Sequence, residues 1–334
     1  MKNLPLLTAL SALLTLAAAP ALAEEGGETG TGDSTGTPAP SPEPAPQPAP
    51  QPEPQPEPSP PPEPTTEAPE TAAEKECDTC EPPERRVSFS LYGTLAANYI
   101  FRGYALEAHG PLFQPGAAFS LSLVQLEKGL TDLSLSVGLW NSLHRPGGTT
   151  GQNLHYELDF SAGLSATFAD MVNTSVTWAL YTSPRGEWTA TQELLAHLDV
   201  ALAPTESLSL TPGVNFVAEL VGQADGGAAK GLYIEPNFAL DIVLPIPNWE
   251  PSITIPLAVG LSLSNYYEGA NGDAPFGFFS ARATANLPLS FIPEKFGAWT
   301  VSAGGGVILL GPTPAEVYEG PVAPIADLTI NVDI

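Results

Sequence analysis

The residues able to do chemistry are mostly carboxylates. Asp132, Glu157, Asp159, Glu193, Asp199, Glu219, Glu235, Asp241, Asp327 and Asp333 sit among alternating apolar residues, and only Arg102 and Arg282 clearly oppose them. Acids gathered on the wall of an aqueous pore would concentrate cations and repel anions, because a low-dielectric wall focuses their field. If the pore is filled instead, with Tyr92, Trp140, Tyr181, Tyr233 and Tyr266 as candidate fillers, the acids would pair with the arginines and each other. Arg102 reads first as a confined charge at a strand end, paired with nearby acids, and second as a selecting or gating group.

Other chemistry has weaker support. His155 and His197 share the acidic face, which suits a metal in principle; ordinary polar wall residues are the better reading, and no metal is expected. His109 and His144 fall in loops, and no serine lies at a distinctive spacing from any histidine, so a base-activated nucleophile is not visible. The reading is therefore not an enzyme, with no catalytic residue and no cofactor. Cys77 and Cys80 form a lone Cys-Asp-Thr-Cys. A local disulfide is the leading reading: a redox pair needs a helix start in a βαβ context, and zinc needs two further ligands.

These groups need elements to hold them, and from Val87 onward the pattern has period two. Val87, Phe89, Leu91, Leu95, Ala97, Tyr99 and Phe101 alternate with a mostly polar set. Repetition of such segments to the end predicts strands at 87–101, 113–124, 131–142, 153–168, 171–182, 188–202, 207–221, 231–244, 251–266, 277–288, 298–310 and 323–334. In 153–168, Leu154, Tyr156, Leu158, Phe160, Leu164 and Phe168 would face outward, with Glu157 and Asp159 inward. Alternate connections are short, and the others are longer and richer in Gly, as expected of a transmembrane antiparallel β-barrel of about 12 strands. Tyr99, Phe101, Trp178, Trp188, Tyr266, Tyr267, Phe279 and Trp299 near strand ends would form interfacial girdles. A soluble sandwich would also alternate, but it would not turn a continuous apolar face outward.

The first 85 residues differ in kind. Lys2, the apolar run Leu4–Ala19 and the site Ala21-Leu22-Ala23 have the order of a cleaved signal peptide, assigned to residues 1–23. Residues 24–85 are rich in Pro and Glu and cannot bury a core, so they read as a disordered periplasmic linker before a barrel at 86–334. Its polyproline stretch, roughly 27 residues at ~3.1 Å each, would span about 80 Å. The formal charge of -26, with 11 Lys+Arg against 37 Asp+Glu, argues against nucleic acid as a partner. The expected partners are outer-membrane lipid and, through residues 24–85, cell-wall or periplasmic components.

Several stretches resemble the Gcw_chp family of outer-membrane proteins of unknown function. The likeness is carried by Asn98-Tyr99-Ile100-Phe101-Arg102-Gly103, Val137-Gly138-Leu139-Trp140-Asn141-Ser142, Glu157-Leu158-Asp159 with Gly163, Tyr181 with Pro184, and Gln192-Glu193. It spans about residues 88–200 and implies an outer-membrane barrel without implying a substrate. Two readings of function follow. One is a porin-like channel for cations or small cationic solutes; the other is a structural barrel that anchors the tether without transport.

Overall fold

Alternation of branched or aromatic residues with Ser, Thr, Gly and Asn suits a strand whose faces meet different media. In the computed structural model, which describes residues 86–145, 154–224, 226–247 and 249–334, that pattern forms one closed antiparallel barrel. The signal peptide, the linker and the Cys77–Cys80 pair lie outside the described residues.

The strands are β1 (Val87–Ala96), β2 (Tyr99–Phe101), β3 (Tyr104–Glu107), β4 (Leu112–Gln125), β5 (Leu130–Leu143), β6 (His155–Phe168), β7 (Val172–Thr182), β8 (Thr191–Val200), β9 (Leu202–Thr205), β10 (Leu208–Val221), β11 (Leu232–Val243), β12 (Ser252–Ser264), β13 (Glu268–Gly269), β14 (Gly272–Asp273), β15 (Phe276–Pro288), β16 (Ala298–Leu310) and β17 (Val322–Asp333). Twelve of them are staves of the wall, with β9 continuing β8 beyond Ala201. The wall closes where β17 pairs with β1, for example Thr329 opposite Thr94. Every backbone group in the wall can thus find an inter-strand partner, which a bilayer requires.

The outer face is apolar. Leu91, Phe119, Val137, Leu164, Val176, Leu198, Phe216 and Ile330 all stand exposed on it. A face of that extent in water would be an aggregation surface, whereas in hydrocarbon it is satisfied. Both ends of the chain's barrel segment, Val87 and Asp333, lie at the rim of short turns such as the Ala169-Asp170 turn, whose residues have φ 51 and 54. We call this the turn end and the opposite rim the loop end.

Three expectations are corrected. The first stave stops at Ala96 rather than 101, and residues 99–107 leave the wall as a hairpin of β2 and β3. Its tip is Arg102-Gly103, with φ 44 and 94, the left-handed pair that a tight antiparallel reversal needs. Tyr99, Phe101, Trp188, Tyr266 and Tyr267, expected in the interfacial girdles, are at most 9% exposed; they pack inside the loop end. Trp178, Phe279 and Trp299 do remain half-buried on the staves, and the exposed aromatics at the turn-end rim are Trp249, Phe291 and Phe296. Tyr156, expected outward, is buried, because the register shifts where β5 and β6 meet at Ser142 and Leu143.

Candidate functional site

The lumen has two unlike halves. At the loop end the β2–β3 hairpin folds inward and brings Tyr99, Phe101, Tyr104 and Leu106 against Trp140, Tyr181, Tyr233, Tyr266 and Tyr267, all buried. Ring centroids lie 5.5 Å apart for Tyr99 and Trp140, and 4.8 Å for Tyr233 and Tyr266, within the range of favourable aromatic pairs. The short helix Pro312–Tyr318 lies over the tip, where a Cβ on Gly103 would come within 3.2 Å of Pro314.

Arg102 sits at the centre of this closure. Its Nη1 is 2.7 Å from Glu193 Oε1 and also bonds the Tyr266 hydroxyl. Tyr181 donates to Glu193 Oε2 at 2.9 Å. The guanidinium lies over Phe101, 4.4 Å from the ring centroid, which adds a cation–π contact. Tyr267 donates to the Arg102 carbonyl at 3.0 Å and so fixes the hairpin tip. The expectation of an arginine paired with acids therefore holds, but the arginine comes from an inserted hairpin and not from a strand end.

Of the other expected lumen acids, Glu157 and Asp159 lie beneath the hairpin on β6, and Tyr99 donates to Glu157 Oε2 at 3.1 Å. Glu219 accepts the Gly231 amide at 2.6 Å and the Ala224 amide, so it holds the β10–β11 connection. The remaining acids line the wall from mid-height to the turn end, and Glu235 also accepts from the Tyr233 hydroxyl above it. Ser122 donates to Asp132 at 2.5 Å, Thr254 to Asp241 at 2.6 Å and Ser90 to Asp333 at 2.5 Å. Asp199, His197, Asn215 and Glu235 form one chain: Asp199 and His197 at 2.7 Å, His197 and Asn215 at 2.6 Å, Asn215 and Glu235 at 2.9 Å. Arg282 pairs with Asp327 at 2.5 Å. Gly304 makes room for that arginine, since a Cβ there would come within 2.8 Å of its Cζ.

The two histidines proposed for one face are separated. His155 bonds Asn141 at 3.0 Å, on the far side of the register shift, while His197 stays in the lumen. Among the described residues no cluster of three or more His, Cys, Asp or Glu side chains is placed to hold a metal.

One constellation was invisible in the sequence. Ser142 Oγ is 2.9 Å from His144 Nε2, and Glu107 Oε2 lies 3.8 Å from His144 Nδ1. The order Ser, His, Glu is that of a base-activated hydroxyl. All three side chains are buried, His144 stacks on Tyr156 at 4.2 Å, and burial pushes the His144 pKa down to about 4. The arrangement fastens β3 of the hairpin to β5 of the wall. Glu107 reaches the other two only through the hairpin fold, so no local spacing announced it.

No protein-family description matches the chain, and no curated protein matches it. Among solved structures the chain is similar to a KdgM porin, at 10% identity over 74% of this chain and 97% of that one, with a TM-score of 0.39. It is also similar to LpxR from Salmonella typhimurium, at 7% identity over 73% and 99%, TM-score 0.43. A third is the COG4313 outer membrane channel from Pseudomonas putida F1, at 10% identity over 74% and 94%, TM-score 0.42.

Proposed function

We propose that the protein is an outer-membrane barrel that passes small cations, with the β2–β3 hairpin as the element that closes its loop end. The observation that carries this reading is the charge of the turn-end lumen. Asp132, Glu235, Asp241, Asp327 and Asp333 are partly exposed on the lumen wall from mid-height to the turn end, and among the described residues Arg282 is the one arginine or lysine paired with an acid there. A wall with that surplus attracts cations and excludes anions.

The alternative, a barrel that only anchors the tether, is favoured by the sealed aromatic loop end. Planar-bilayer recording separates the two. The channel reading expects small, brief openings from the full chain, a cation-side reversal potential in a KCl gradient, and larger steady currents when residues 98–110 are replaced by a short Gly-Ser link. Silence from both proteins would leave the anchor; anion preference would overturn the channel.

A further inference from the structure

The loop end holds more carboxylates than it has cations to match. Arg102 is committed to Glu193 at 2.7 Å. His144 is neutral at ordinary pH, because burial outweighs the attraction of Glu107. Glu219 is met by the Ala224 and Gly231 amides, whereas Glu157 and Asp159, neighbours on the inner face of β6, are 0% and 6% exposed. Among the described residues no Arg, Lys or His forms an ion pair with either. Glu157 Oε2 accepts from Tyr99, while Glu157 Oε1 and the Asp159 oxygens meet only each other and the Thr182 backbone, with no cationic partner. The polar groups nearest Asp159 are the Glu157 carboxyl itself and the Thr182 backbone.

Two acids in this state need a positive charge or a proton, since a confined carboxylate without a partner is strongly disfavoured. The geometry around them supplies space for an ion. Asp159 lines a cavity of about 30 Å³ together with Tyr92, Trp140, Ser161 and Tyr181. A proton would need no such volume. One probe-sized water occupies ~10–15 Å³ on this measure, so the space suits one small ion with at most one water. Divalent cations of the calcium type want six to eight oxygens, which this wall does not offer. Indole and phenol rings beside two carboxylates suit a weakly hydrated monovalent ion, held by charge and by the ring faces.

We propose that Asp159, with the Trp140 and Tyr181 rings and with Glu157 adjoining the cavity from behind, binds a single small monovalent cation of the potassium or ammonium class directly beneath the hairpin. As a step in conduction this rests on the channel reading; as a binding site it stands without it. The test therefore measures binding. The full chain, folded in detergent micelles, is melted across a KCl series and a choline chloride series of equal ionic strength. Choline is too large for the cavity and reports screening alone.

The expected result is a midpoint that rises and saturates with potassium and does not do so with choline. Asp159→Asn and Glu157→Gln should weaken the potassium response at least tenfold, while Glu206→Gln, on the exposed turn between β9 and β10, leaves it intact. Heat-modifiable gel mobility checks that each variant is folded. Equal responses to potassium and choline in the unmodified protein would overturn the site and leave a shared proton as the explanation, whatever the variants do. Wild-type affinity in both β6 variants would overturn it too. Binding without conductance would keep the site and remove the channel. Conductance with unchanged potassium binding in Asp159→Asn would remove the site and keep the channel.

Discussion

Glu193 at the loop end and Asp327 at mid-height of the wall are each paired with an arginine, yet the two pairs live in different media. The Arg102 and Glu193 side chains are 7% and 0% exposed; Arg282 and Asp327 are 29% and 10% exposed. Around Arg102 the neighbours are rings, and every lone pair left unmet is costly. Around Arg282 they are Thr284, glycines and the open lumen, where solvent screens what the protein does not satisfy. The same two residue types therefore serve closure at the loop end and a surface field along the wall. Burial decides which.

The sharpest way to break that comparison is to remove one arginine. Arg102→Ala leaves Glu193 buried against Tyr181 and Tyr266 with its charge unmet, a loss of about 3–5 kcal/mol when one partner of a buried pair is deleted. Urea unfolding in micelles should show it, together with new protease cleavage in 98–110. Arg102→Lys should recover only part, because an ammonium that holds Glu193 does not also lay a flat guanidinium over the Phe101 ring. If Arg102→Ala unfolds at the wild-type urea concentration and stays protected, the loop end is not held by its ion pair.

A pH series tests the same end with a smaller effect. His144 titrates at about 4 when folded, below the ~6.5 of an exposed histidine. Between those values the unfolded chain takes up a proton that the folded loop end refuses, so stability is full above about 6.5 and falls as pH drops toward 4. The loss is about 3 kcal/mol by pH 4. Amide exchange in β2 and β3 should speed up over that window in the wild type and change less in His144→Gln. Other carboxylates titrate nearby, so the difference between the two proteins is the quantity that matters. An identical pH profile in both would mean that His144 does not fasten the hairpin.

The staves were legible in the sequence because lipid on one side and water on the other impose a strict two-residue period, and a slip of one residue would reverse every face. The hairpin was not. Ala97, Tyr99 and Phe101 continue the alternation of β1, and an aromatic near a strand end looks the same whether it meets the bilayer interface or the inside of the barrel. Arg102-Gly103 was the available sign of a reversal, since that pair takes φ 44 and 94. The same alternation named the candidate lumen acids, but it did not name their partners. Arg102 meets Glu193 across 91 positions, and Tyr99 meets Glu157 across 58. Such pairings depend on where an inserted hairpin comes to rest, which periodicity along one strand does not encode.

Tyr181→Phe sharpens the comparison further. It deletes the hydroxyl that donates to Glu193 Oε2 at 2.9 Å and leaves the ring in place. Hydrogen bonds to charged groups contribute ~1.5–3 kcal/mol, and the low end applies because Arg102 still holds Glu193 Oε1. Ser122→Ala is its turn-end counterpart. Asp132 loses one donor there but keeps Ser134 and solvent, so the change should be well under about 1 kcal/mol. Equal losses in the two variants would erase the distinction between a dry end and a wet one.

The smallest effect on stability should carry the clearest effect on ions. Asp327→Asn releases Arg282 in a half that solvent reaches, and pairs exposed to that degree contribute only ~0–1 kcal/mol. The barrel should melt almost as before. Its lumen, however, loses one negative charge and gains an arginine, packed against Gly304, that nothing neutralises. If the hairpin-replaced barrel conducts, adding Asp327→Asn should move its reversal potential toward zero, and the shift should shrink as salt rises from 0.1 M to 1 M because the screening length falls from ~10 to ~3 Å. A stable variant with an unmoved potential would mean that permeant ions do not pass the Arg282–Asp327 pair. The acidic wall would then be a consequence of solvation at the turn end rather than a selector.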